Sequence, residues 1–77
     1  MTQSLSETVA SEVRAEMGRQ RRSQQDLATA LGRTQAYVSR RLVATNAVSF
    51  SVAELGTIAE YLGVPVSRFL PDPVATR

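Results

Sequence analysis

The sequence predicts an all-α fold, a compact domain of five short helices. Three observations carry that expectation. Apolar residues recur at helical spacing along the chain, and serines or threonines stand where such runs begin. Glycines stand where the runs end, and no segment alternates with the two-residue period of a strand. Neither an internal repeat nor a low-complexity stretch interrupts the pattern.

The first helix is long. Leu5, Val9, Val13 and Met17 form a stripe at four-residue spacing, and Ser4 with Glu7 fits a capping box at its start. The run Gly18-Arg19-Gln20-Arg21-Arg22 is expected to weaken this helix and end its apolar face. Ser23 then caps a short second helix, with Asp26 favouring the positive end of the helix dipole. Leu27, Ala28 and Leu31 are its buried side, and Gly32 stands where a left-handed cap would end it. Thr34 caps a third helix over residues 35–43. Residues 44–50 (ATNAVSF) read as a loop.

Ser51 caps the fourth helix and Glu54 completes the capping box, while Phe50 and Leu55 occupy the two staple positions around it. Val52, Leu55, Ile58, Ala59 and Leu62 are expected inside, and Gly63 ends the helix. Pro65 suits the first turn of a short fifth helix carrying Val66, Phe69 and Leu70, which Pro71 and Pro73 terminate. The expected organisation is one domain over residues 1–70 and a short, flexible tail over 71–77.

Composition narrows the function. Among 77 residues there is neither cysteine nor histidine, so no disulfide, thiol nucleophile or imidazole base is present and no metal or cofactor is expected. The acids are scattered, and Glu7, Asp26 and Glu54 are accounted for as helix-start residues, so no enzyme is expected. No apolar run reaches the roughly 18 residues of a membrane span, and the polar start MTQSLSETVASE is unlike a signal peptide, so a cytoplasmic protein is expected. All nine basic residues are arginine. Residues 14–41 hold seven of them against Glu16 and Asp26, a net +5; Arg68 and Arg77 against five acids leave −3 elsewhere. Arginine suits forked contacts to phosphate, although a solvated face accounts for the same charges.

Two short helices joined by a glycine-bearing turn form a helix-turn-helix pattern. The residues Ser23-Gln24-Gln25-Asp26-Leu27-Ala28, Leu31-Gly32, Val38-Ser39-Arg40, then Leu55, Ile58-Ala59 and Leu62-Gly63-Val64 resemble the lambda repressor/Cro-like family, the xenobiotic-response-element type of helix-turn-helix. The resemblance runs from about Val13 to Leu70. It implies a transcriptional regulator of the phage repressor or Cro type, whose third helix enters the major groove of double-stranded operator DNA. Val38 and Leu42 anchor that helix, and at about 100° per residue the opposite side points through Arg40. The resemblance nominates Gln35, Ala36, Ser39 and Arg40 to read bases and Gln24 to meet the DNA backbone; Thr34 either meets that backbone or only caps its helix, and Tyr37 either stacks on a sugar or covers the joint between the second and third helices. Arg19, Arg21, Arg22, Thr45 and Asn46 join the backbone set as nearby donors. Glutamine pairs adenine, arginine pairs guanine, and alanine meets a thymine methyl.

The chain departs from the family in places. An arginine on the first helix that pairs with a glutamate at the end of the third is replaced by Met17 and Leu42, an apolar exchange of a kind that proteins tolerate. Arg22 and Arg41 stand where hydrophobes are usual, and Arg41 is expected to snorkel from the core edge. The loop after the third helix lacks the usual glycine. The resemblance implies a homodimer on a palindromic operator; its candidate interface, Val64, Val66, Phe69 and the tail, is too small to predict a stable dimer without DNA. No small-molecule ligand is expected. The alternative, an antitoxin or accessory regulator that uses this fold mainly to bind protein, fits less well with the polar, positive outer face of the third helix.

Overall fold

The computed structural model describes residues 5–43 and 48–70, so Ser4, Thr45, Asn46 and the 71–77 tail lie outside the described residues. Within them the protein is all-helical and without strands: α1 (Leu5–Gln20), α2 (Gln24–Leu31), α3 (Gln35–Arg41), α4 (Val52–Leu62) and one turn of 3-10 helix, Val66–Phe69. None of these helices is long and apolar enough to cross a membrane. Packing is organised around α2, which contacts both α3 and α4, while α1 lies against α4 and the 3-10 turn.

The core draws on every element. Val13, Leu27, Val38, Leu42, Ile58 and Phe69 are fully buried, and Val9, Ala10, Met17, Ala28, Phe50, Ala59 and Leu62 complete the cluster. Ala28 is wholly enclosed, as expected of a small residue where α2 and α3 approach closely. Burying a side chain the size of Phe69 or Leu27 contributes about 1.5–3 kcal/mol. Leu5, at the start of the α1 stripe, is 60% exposed, and Val52 is 87% exposed. Both line the mouth of an apolar recess instead of the core.

Three boundaries differ from the expectation. The fifth helix is a single 3-10 turn, because Pro71 bars Leu70 from helical backbone and leaves only four residues after Pro65; Leu70 is accordingly extended. The third helix ends at Arg41 rather than 43, with Leu42 as its C-cap. Its last carbonyls find donors from elsewhere, Val48 N–H on Arg40 at 3.3 Å and the Arg14 guanidinium on Leu42. α1 runs through Gly18 to Gln20 because its last turn is held by side chains, as described below. Phe69, nominated for a subunit contact, belongs to the chain's own core, while Val66 is 40% exposed and Val64 half-buried.

Helices α1, α2 and α4 end alike, with paired backbone bonds onto the preceding turn. Gly32 (φ 68°) and Gly63 (φ 70°) take the left-handed position in two of them, and Arg21 (φ 56°) takes it in the first. That conformation is natural for glycine and costs an L-residue roughly 1–2 kcal/mol.

Candidate functional site

The outer side of α3 follows from its anchors. The Thr34 hydroxyl accepts the Tyr37 N–H at 3.1 Å and starts the helix, so capping is one role it fills. Val38 and Leu42 point inward; Gln35, Ala36 and Arg40 are exposed, and Ser39 is half-buried beside them. The structure therefore brings the four nominated base-reading residues to the outer side of the helix, Ser39 at its edge. Among the described residues, no side-chain partner engages Gln35 or Arg40.

A second feature lies where α1, α2 and the end of α3 meet. Ser23 and Asp26 close a reciprocal capping box on α2 (3.0 and 3.2 Å), leaving Gln24 as the first helical residue, half-buried. Gln24, Arg14, Met17, Gly18, Arg22 and Leu42 line a shallow depression of about 210 Å³. An amide, two guanidiniums and the positive end of a helix dipole converge there, a combination suited to an anion. Arg14 was not among the nominated residues. The signal for it was present: Arg14 stands three and four residues before Met17 and Gly18, on one face of α1. Its hold on the Leu42 carbonyl ties α1 to α3 beside the buried Met17 and Leu42 side chains.

The nominated arginines divide. Arg19 binds Glu16 at 2.7 Å, on the side of α1 that meets Arg68 and the end of α4, away from the Gln24 depression. Arg22 lies over the Tyr61 ring at 4.8 Å while also lining the depression. Arg21 is exposed and, among the described residues, without a side-chain partner.

Tyr37 is half-buried rather than free. Its hydroxyl donates to the Glu54 carboxylate, and the guanidiniums of Arg41 and Arg33 stand over its ring at 3.5 and 4.9 Å from the centroid. Arg41 thus leaves the core edge by stacking, donates to the Tyr37 carbonyl at 3.1 Å, and, among the described residues, keeps one buried nitrogen, Nε, without a partner. The bond to Glu54, with burial, raises the Tyr37 pKa above its ordinary value. Burial pushes Glu54 upward, but the Tyr37 hydroxyl, the Ser51 N–H and the Arg41 charge outweigh it and hold the carboxyl low.

No family model, curated protein or solved structure matches this chain. What the site can bind follows from its own chemistry. It offers amides, hydroxyls and guanidiniums, groups that recognise an anionic, hydrogen-bonding surface. Among the described residues no cluster of three acids is placed to hold a metal ion. On another face, Leu5, Val9, Phe50, Val52, Leu55 and Leu70 line the apolar recess, also about 210 Å³.

Proposed function

We propose that the chain is a sequence-specific double-stranded DNA-binding regulator of the phage repressor or Cro type, with α3 as the recognition helix. Gln35, Ala36, Ser39 and Arg40 meet base edges, and Gln24, Arg14, Arg21 and Arg22 meet phosphates. Two copies on a palindromic site belong to this reading. The observation that carries it is the outer side of α3. Gln35 and Arg40 stand exposed there with no side-chain partner among the described residues, while Arg19, Arg33, Arg41 and Arg68 are engaged within the protein.

Selection of duplexes from a random library tests the reading, followed by titration of the enriched duplex against a scrambled one. Arg40→Ala is expected to lose about 1–3 kcal/mol on the enriched duplex and to flatten preference at one or two base positions. Gln24→Ala is expected to weaken both duplexes by similar factors. Equal losses on both duplexes for Arg40→Ala would make Arg40 an anchor and remove α3 as the reader. The apolar recess favours a second reading, an antitoxin or accessory regulator directed mainly at protein. That reading takes over if no duplex is enriched.

A further inference from the structure

Helix α3 is seven residues long, too short to hold its own shape, and its main packing partner is α2. The rest of its seat is built by side chains. Val38 and Leu42 enter the core, Arg14 holds the C-terminal end, and Tyr37 reaches across to α4. The acceptor on α4 serves two elements at once. One oxygen of Glu54 accepts the Ser51 N–H at 2.9 Å and completes the α4 cap. The other accepts the Tyr37 hydroxyl and faces Arg33 Nε at 4.0 Å. One carboxylate therefore joins the first turn of α4 to the middle of α3.

We propose that Tyr37 and Glu54 form a clamp that sets the angle at which α3 presents Gln35 and Arg40, making both positioning residues for base recognition; the inference rests on the DNA-binding reading above. Base-edge hydrogen bonds need groups held to about 0.5 Å, whereas arginines on flexible stems find phosphates over a wider range. Loosening the clamp therefore erodes preference among sequences more than it erodes general affinity. The same contacts draw Arg33 and Arg41 onto Tyr37 and keep their charge from competing with Arg40 for the duplex.

Tyr37→Phe isolates the hydroxyl, since it keeps the ring and both guanidinium stacks. Glu54→Gln keeps an oxygen for the cap while weakening the bond to Tyr37. Thr57→Ala removes an exposed hydroxyl of α4 that donates to the Ala53 carbonyl, and leaves the clamp alone. For each variant, folded by circular dichroism, two quantities are measured: binding to enriched and scrambled duplexes, and amide hydrogen exchange of Val38–Leu42 without DNA. Tyr37→Phe is expected to lower the enriched-to-scrambled ratio about tenfold, with scrambled binding within about twofold, and to speed α3 exchange while α2 exchange stays put. Glu54→Gln moves both readouts the same way by less, and Thr57→Ala leaves the ratio unchanged. A folded Tyr37→Phe with ratio and α3 exchange unchanged overturns the clamp, as does a Thr57→Ala that lowers the ratio equally. If the parent protein enriches no duplex, the DNA-binding reading fails on its own, and α3 exchange in Tyr37→Phe still decides the clamp.

Discussion

Glu16 is a carboxylate on the inner side of α1, 5% exposed, and its neighbours all donate to it. Arg19 reaches it at 2.7 Å, Gln20 at 2.9 Å and Arg68 at 3.2 Å, while Gln20 also donates to the Leu62 carbonyl at 2.7 Å. One buried acid thereby fastens the last turn of α1 to the end of α4 and to the 3-10 turn. The bonds from Arg19 and Gln20 hold its pKa below the ordinary 4.5, against the opposing effect of burial. A carboxyl depressed in the folded state contributes stability that is present above its ordinary pKa and lost as pH falls through the depressed value. Glu54, depressed too, adds to the same acid limb. Glu16→Gln should lower stability near neutral pH and make its loss below about pH 4.5 shallower; urea unfolding at several pH values would show both, and parallel curves would contradict them. The apolar replacement at Met17 and Leu42 makes a second prediction at this scale. Both are buried (4% and 1%), and Arg14 already stands beside Leu42. Met17→Arg should cost about 2–3 kcal/mol by burying a second cation, with Leu42→Glu in the same chain restoring part of it. An unchanged unfolding midpoint in Met17→Arg would rule this out.

At the scale of elements, the starts of α2, α3 and α4 were legible because a cap is a local affair of residues three apart. Ser23, Thr34 and Ser51 each accept the backbone N–H three residues on. Ser51→Ala should cost about 0.5–2 kcal/mol of stability, read as a drop in the denaturant midpoint at unchanged slope. The glycine ends of α2 and α4 were legible for the same reason. The end of α1 was not, since Gly18 and the arginines read locally as a breaker while the helix is held by Leu62 and Arg68 from more than forty residues away. The proline-bounded fifth element read as a helix because its apolar residues keep helical spacing; the room between Pro65 and Pro71 decided otherwise. The outward position of Ala36 and Arg40 was legible from the Val38–Leu42 anchor, whereas Gln35 was nominated by the resemblance. Arg14 beside Gln24, and Glu54 beneath Tyr37, depend on packing between distant segments, and no local rule brings them together.

For the molecule as a whole, the cluster of seven arginines in residues 14–41 is less of a cationic field than its count suggests. Arg19 faces Glu16, and Arg33 and Arg41 are gathered around Tyr37 and Glu54. Under the DNA-binding reading, counterion release should therefore be carried by a subset. Arg21→Ala and Arg22→Ala should each reduce the slope of log affinity against log salt by about one, whereas Arg19→Ala should leave that slope in place and lower stability instead. Salt titrations of the three variants check this, and a slope lost in Arg19→Ala would return Arg19 to the phosphate contacts.

The left-handed turn at Arg21 gives this division a cost in fitness terms. Its two counterparts use glycine, so a variant with glycine there is one substitution away from an easier backbone. Arg21→Gly should raise the melting temperature, since a left-handed L-residue is penalised by roughly 1–2 kcal/mol. The same change removes a guanidinium that has no side-chain partner among the described residues. Under the DNA-binding reading, Arg21 is a trade of thermal robustness for grip on a polyanion. The glycine variant should be the hardier protein and the weaker binder.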